Sequence, residues 1–398
     1  MRTMKRKEIK LLPILLGSDE NAYGCARLFF DGYGIRPLVF CSRALPPTSY
    51  SRILTRRVIK DLDSPAVFRA VVEETLPLLK KTARALAVIP CSDYYAELVI
   101  RNRNLLSLYS ETPTVSESLY KRFSDKAAFL GLCEEYGLPH PETVIMKAEE
   151  LLASPLPFPL PLVIKPENSN SFSYLHLDMK ERKKVYFCTG KREVYGTAES
   201  LISAGYRGKL IVQRYIPGSR ALTVNAYCDS DSNVRVIGAA APILEYRSPS
   251  LIGNYAALKT VKERTVCEAV CRFLKEIGYV GFVNFDLKFD EKRNEFLFLE
   301  LNPRQGRSSY YMHTGGKDLM SAFVEDALEK VPFGGTHFSE DEGIWSNVSR
   351  RVLKRHADTS TLNGMRIDSA ITPLYDPSPM RLLALLKREL NSERLLKE

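Results

Sequence analysis

A chain of 398 residues is long enough for two or three domains, and 45% hydrophobic residues exclude general disorder and a disulfide-stapled miniprotein. With 57 Lys+Arg against 47 Asp+Glu the formal charge is +10, yet both signs are plentiful, so neither a polybasic coat nor a nucleic-acid partner is expected. The longest apolar runs, LLPILL and ALAVIP, fall short of the ~20 residues a bilayer span needs, and the charged start MRTMKRKEIK leads into no apolar signal region, so the expected location is the cytoplasm.

The first ~115 residues alternate strand-like and helix-like patterns. IKLLPILLG reads as a buried strand, NAYGCARLFFDGYG as a helix stopped by glycine, and IRPLVFCS as a second strand. A helix over 64–83, the strand RALAVIP and a helix from about Tyr94 follow. This predicts an open parallel α/β sheet, with ligands at the carboxyl ends of its strands. The turn GSDENAYG places its glycines seven apart, which is not the dinucleotide-binding spacing. Asp19 and Asn21 in that turn either contact a substrate or cap the next helix.

Near residue 115 the pattern changes. SDKAAFLGLCEEYGLP is a capped helix, with Ser124 or Asp125 at its start and Gly137 and Pro139 at its end. Five prolines over 155–166 lead into the short strand LVIKP and a polar loop. Strands around 184–188 and 209–215 enclose a helix from about 192 to 204, so 140–212 reads as a small α+β module able to move as a lid. Residues 222–301 are strand-rich around a helix at 261–277, and beyond ~333 the chain reads as irregular and basic. The eight cysteines form no C-x-x-C pair, and the five histidines show no zinc spacing. Cys267 and Cys271, four apart on the 261–277 helix, read as part of a buried stripe with Val266 and Val270 in preference to a metal or redox pair.

The most informative stretch is GFVNFDLKFDEKRNEFLFLELNPRQGRSS. Two alternating runs, 281–290 and 295–302, flank a polar turn and predict a β-hairpin. Pairing Phe285 with Leu301, Leu287 with Leu299 and Phe289 with Leu297 gives one wholly apolar face, and a one-residue slip destroys it. On the other face this register sets Asp286 opposite Glu300 and Asn284 opposite Asn302, beside Lys288, Phe296 and Phe298. Two converging carboxylates with amides, without thiolate or imidazole, suit Mg²⁺ and phosphate. The alternative is an exposed hairpin face whose acids Lys288 and Arg304 neutralise. Lys165 ends the strand LVIKP at a Ser/Asn-rich loop, and Lys126 opens the helix DKAAF. Either lysine suits phosphate or is an ordinary surface charge. LIVQRYIPGS ends a strand where a nucleotide base can dock on backbone groups, unless it is merely a strand terminus.

In order, SDKAAF, LVIKP, VQRYIPG, NFD and LELNPRQGRSS resemble the ATP-grasp superfamily over about residues 115–333. PILLGSDENAYGCAR, SDYYAEL, SLIGNYAAL and NPRQGRSSYY narrow this to a resemblance to carboxylate–amine ligases of the D-aspartate ligase type. The resemblance implies a mixed α/β and α+β chain: a Rossmann-like pre-ATP-grasp domain at 1–115, an ATP-grasp core at 116–333 with the lid at 140–212, and a basic extension at 334–398. It implies that Lys126 and Lys165 hold the phosphates of ATP, and that Gln213, Arg214, Tyr215 and Ile216 receive the adenine. By the same resemblance Asp286, Glu300 and Asn302 hold two Mg²⁺ ions, and Arg304 stabilises the transferring phosphoryl group. Arg307, Ser308 and Ser309 lie near the acid substrate. The loop PENSNSFSYL departs from many relatives in having no glycine, and no acidic residue for the ribose follows PGS.

The implied reaction activates a small amino-acid carboxylate as an acyl phosphate and joins it to an amine. Its specific form joins D-aspartate to the lysine side chain of a peptidoglycan precursor. A ligase making another dipeptide or modified amino acid is a rival, and a nucleotide-responsive binding protein is another. Residues 1–10, SRRVLKRH and MRLLALLKRELNSERLLKE supply basic surface for an anionic acceptor, with peripheral association at the inner membrane face as a further expectation. Packing of the last helix on the domain or on another subunit is the alternative.

Overall fold

The computed structural model describes residues 11–167, 174, 177–179, 183, 185–248, 253–372 and 375–397. Residues 1–10, most of the loop after Lys165 and part of SLIGNYAAL therefore lie outside the described residues. Close contacts divide the chain into two compact units, one of Met1–Glu117, Leu222–Phe285 and Asn302–Glu398, the other of Ser118–Ala221 and Asp286–Leu301.

The larger unit begins with β1 (Leu11–Leu16), α1 (Glu20–Tyr33), β2 (Leu38–Cys41), β3 (Thr55–Val58), α2 (Pro65–Lys80), β4 (Ala85–Pro90) and α3 (Asp93–Arg101). Its strands are parallel in the order β3-β2-β1-β4. β1 is central and apolar, and its pairing with β2 starts at Ile14, one residue past the donor-less Pro13. Asp19 caps α1 by accepting from the Ala22 N–H (3.2 Å), and Gly34 closes it in the left-handed conformation. β3, sequence TRRV, is a largely exposed edge strand that hydrophobic patterning does not reveal, and its arginines suit an unpaired edge. The chain runs outward from β1 through β2 to β3 and returns to β4 on the other flank. The reversal therefore falls between β1 and β4, where carboxyl strand ends open a crevice.

The smaller unit holds α4 (Lys126–Glu135), β5 (Thr143–Lys147), α5 (Ala148–Ala153), β6 (Leu162–Pro166), β7 (Tyr186–Cys188), α6 (Lys191–Ser203) and β8 (Lys209–Arg214). Its sheet is antiparallel in the order β5-β8-β6-β7. Leu162, Ile164, Leu210 and Val212 pack against Val194 and Leu201 of α6 to form a separate core.

The second large sheet is built from β9 (Ala221–Cys228), β10 (Val234–Glu245), β11 (Tyr255–Val261), β12 (Gly281–Asp290) and β13 (Glu295–Asn302), with α7 (Arg264–Glu276) between β11 and β12. The predicted hairpin is β12–β13, with the same bounds. Its register shows where the Asn302 Nδ2 donates to Asn284 Oδ1 (3.2 Å), and Phe285, Leu287, Leu297 and Leu301 are buried. The opposite face is not simply solvated, because Phe298 is buried and its N–H donates to the Pro139 carbonyl (2.8 Å). On α7, Cys267 is buried beside Val270 and Phe273, and all eight cysteines are free.

The chain beyond 333 is not irregular. β14 (His337–Phe338) pairs with β10, while β15 (Ile344–Ser346) and β16 (Ile367–Asp368) extend the sheet past β11, giving the order β13-β12-β9-β10-β11-β15-β16. α8 (Arg350–His356) and α9 (Pro379–Lys397) follow. Trp345 is buried in one core with Leu15, Phe29, Tyr310 and Leu385. Strands of two or three residues offer no alternation to read; they exist because a longer neighbour satisfies their backbone groups.

Candidate active site

In the smaller unit a cationic cluster forms on neighbouring strands. β6 and β8 pair Val163 with Gln213, so Lys165 and Gln213 lie close, and Lys165 Nζ donates to Gln213 Oε1 (2.7 Å). Gln213 Nε2 in turn donates to Thr143 Oγ1 on β5 (2.9 Å), which fixes the glutamine's orientation. Burial pushes the Lys165 ammonium down to about 8; repulsion from Lys126 and Lys288 adds to this, and Glu300 opposes it. Lys126, first residue of α4 after the Asp125 cap, brings its Nζ to 3.8 Å from Glu300 Oε1. Lys126, Lys165 and Lys288 with Glu300 among them make this part of the unit rich in positive charge.

The strand end after Gln213 is less open than its sequence suggests. Arg214 is committed to Glu142 (3.0 Å) and to the buried Asp290, so its guanidinium serves an internal ion pair. Its N–H donates to the Glu142 carbonyl (3.1 Å), and that of Tyr215 to Pro161 (3.3 Å). The Tyr215 ring packs at a tilt of 59° against Phe187, with centroids 4.6 Å apart, and lies 5.2 Å from Lys288 Nζ, while Ile216 is buried. An aromatic pair therefore lies beside Lys288. Asp286 and Glu300 also belong to this unit, and the Glu300 side chain is 44% exposed.

In the larger unit the segment after β13 is pinned to the crevice between β1 and β4. Arg304 Nε donates to Asp93 Oδ1 (2.7 Å) at the start of α3, just past β4, and its Nη1 donates to the Gln305 carbonyl (3.0 Å). Gln305 is fully buried and donates to the Pro90 carbonyl at the end of β4 (3.0 Å). Asn21, in the first turn of α1, donates to the carbonyls of Cys91 (3.1 Å) and Gln305 (3.4 Å). Gly306 donates to Asn225 Oδ1 (2.6 Å), and a Cβ there would stand 3.0–3.1 Å from the Asn284 and Asn225 amides, so only glycine fits without displacing them. Asn302 lies beside this loop, held by Asn284, whose own amide donates to Thr223 Oγ1 (2.7 Å). Ser308 and Ser309 are buried, in a turn whose backbone bonds run to Gly306 and Tyr311.

Arg307 belongs to a network that sequence reasoning missed. Glu20 Oε2 accepts from its Nη2 (2.8 Å) and Nε (3.2 Å), while Glu20 Oε1 accepts from Arg388 Nη2 (2.7 Å) and Nε (3.0 Å) on α9. Burial would raise the Glu20 carboxyl, but the two guanidiniums, Arg388 first, hold it down at about 2. Its neighbour Asp19 rises to about 6, chiefly through burial and then through the charge of Glu20. Glu20 and Arg388 are nearly covered, whereas the Arg307 side chain keeps 39% exposure. Arg307 is thus braced from behind and presented to solvent. Glu20 lies between Asp19 and Asn21, the two residues of the GSDENAYG segment picked out from the sequence, but no sequence signal links it to Arg388, 368 residues away.

A parallel sheet reversing between β1 and β4, an antiparallel module bearing the half-buried Lys165, and the β12–β13 hairpin with its carboxylates are the parts of an ATP-grasp fold. The family description "Carbamoyl-phosphate synthase L chain, ATP binding domain" matches residues 188–325. N5-carboxyaminoimidazole ribonucleotide synthetase in its ADP complex shares the fold at a TM-score of 0.62 and 13% identity, covering 88% of this chain and 86% of that one. The L-amino acid ligase of Bacillus licheniformis does so at 0.56 and 15%, covering 82% and 75%. More narrowly, the chain is 36% identical over 369 residues to the D-aspartate ligase of Enterococcus faecium (strain Aus0004), which takes in 90% of this chain and 86% of that protein. The chain belongs to the D-aspartate ligase family.

Proposed function

We propose that this protein uses ATP to join the β-carboxylate of D-aspartate to the lysine side chain of a peptidoglycan precursor in the cytoplasm, releasing ADP and phosphate. The observation that carries the reading is the 36% identity across 90% of the chain.

A carboxylate does not condense with an amine unaided, because oxide is a poor leaving group. In the proposed reaction a β-carboxylate oxygen attacks the γ-phosphorus of ATP, the bond to the β–γ bridging oxygen breaks, and ADP leaves. The amine then attacks the acyl carbon, loses a proton, and expels phosphate with the carboxylate oxygen it had gained. The transferring group needs positioning and neutralisation more than a protein nucleophile. Lys126 and Lys165 hold the phosphates, the Tyr215–Phe187 surface and the backbone around Gln213, Arg214 and Ile216 take the base, and Arg304 faces the phosphoryl group. Arg307, with Ser308 and Ser309, orients the acid. The module over 140–212 closes to exclude water, which would otherwise hydrolyse the acyl phosphate.

Asp286, Glu300 and Asn302 offer only oxygen donors, two carboxylates and one amide. Among the described residues no group of three His, Cys, Asp or Glu side chains forms a metal site. Hard oxygen donors of this kind suit Mg²⁺, which completes its shell with phosphate oxygens and water. When bound, two such ions would supply charge neutralisation along the phosphates.

The test offers purified protein Mg²⁺-ATP, a panel of D- and L-amino acids, and hydroxylamine as a trap. Hydroxamate and ADP should appear selectively with D-aspartate. Their absence with every acid refutes the ligase reading, and preference for another acid refutes the specific one.

A further inference from the structure

Helix α9 has two faces of opposite character. Arg381, Leu385, Arg388, Ser392 and Leu396 point inward, where Arg381 pairs with the buried Asp376 (3.3 Å) and Arg388 grips Glu20. Met380, Leu382, Leu383, Leu386 and Leu390 are each between 46% and 72% exposed. At 3.6 residues per turn, Leu383, Leu386 and Leu390 fall in one stripe, with Lys387, Asn391 and Arg394 exposed along its side.

The acids of the helix are turned away from this stripe. Glu389 accepts from the Ser349 N–H (3.0 Å), and Glu393 pairs with Arg355 of α8. Arg350, Arg351 and Lys354 of α8 are exposed as well. Among the described residues of α8 and α9, the exposed charged side chains are therefore all cationic, beside an apolar stripe. Among the described residues no helix is long and apolar enough to cross a membrane, and an amphipathic helix with cations beside an apolar stripe suits the plane of a membrane interface.

We propose that the exposed face of α9 seats this protein on an anionic lipid surface, its leucines entering the headgroup boundary and Lys387, Arg394 and the α8 cations meeting lipid phosphates. Charge decides against a second copy as the occupant. A two-fold contact would set the same cationic patch against itself, whereas an anionic surface complements it. The proposal is independent of which acid the site activates.

The test is co-sedimentation of the full chain with vesicles of phosphatidylcholine alone and with about 30% phosphatidylglycerol, alongside Leu383→Glu/Leu390→Glu. The wild type should partition onto anionic vesicles only, and added salt should weaken binding. The double variant should lose partitioning at least about tenfold while keeping its circular dichroism and its solution activity, since both side chains are exposed. No binding to anionic vesicles, or undiminished binding by the double variant, overturns the proposal. So does a dimer that the double variant dissolves, which would assign the face to a second copy.

Discussion

Replacing Glu20 by Gln tests whether the Arg307–Glu20–Arg388 network is a brace. In the folded protein the Glu20 carboxyl sits at about 2 against a reference of 4.5. A shift of that size corresponds to about 3 kcal/mol of stability at neutral pH. Arg307 is 39% exposed, so water screens that half of the network and the figure falls to about 2 kcal/mol. Asp19 offsets a further part, because removing the charge of Glu20 lets it ionise more readily beside Arg307. The expected net loss is about 1–2 kcal/mol at pH 7, or roughly 2–6 °C in Tm. Because the folded value lies below the unfolded one, the stabilisation is fully present above pH 4.5 and disappears as pH falls toward 2. Urea unfolding of the two proteins should thus show a gap at pH 7 that begins to narrow near about pH 5 and closes only toward about pH 2. In turnover assays the KM for the acid should rise about tenfold with a smaller change in kcat, as expected when a binding arginine loses its orientation. Indistinguishable unfolding at pH 7, or an unchanged KM, refutes the brace.

Lys165, with its ammonium at about 8, should make ATP binding weaken as pH rises through that value and take up protons above it; calorimetry in buffers of different ionisation enthalpy reads this directly. Lys165→Gln should remove the pH dependence and lower ATP affinity by about 10–100-fold. Glu300→Gln should abolish turnover while circular dichroism and Tm stay near those of the wild type, because its side chain is 44% exposed; full activity would refute its assignment. Trp345→Ala should cost about 3–5 kcal/mol in chemical denaturation, since β15 is part of the core; a loss under about 1 kcal/mol would mean the region beyond 333 packs loosely.

What could be read beforehand divides along the range of the interactions. The hairpin was legible because two-residue alternation, a polar turn and a single apolar face all fix one register, and Asn302 meets Asn284 where that register sets it. α4 and its Asp125 cap were legible because capping is decided within one helical turn. β3 was not, since an edge strand spelled TRRV buries almost nothing. The tail appeared irregular because β14, β15 and β16 are too short for any period and depend on distant partners. Lys165 was legible as a candidate, but its burial and its bond to Gln213 come from pairing across 48 residues. Glu20 and Arg388 required the whole fold, because α9 and the β1–α1 turn meet only once the larger unit has closed.

The central claim is an acyl phosphate made from the acid, and isotope transfer tests it most directly. D-aspartate labelled with ¹⁸O in its β-carboxylate is turned over with Mg²⁺-ATP and a lysine-bearing precursor peptide, and the phosphate is analysed by mass spectrometry. Phosphate carrying one ¹⁸O per turnover is the predicted result. Unlabelled phosphate released in step with amide formation would contradict the account.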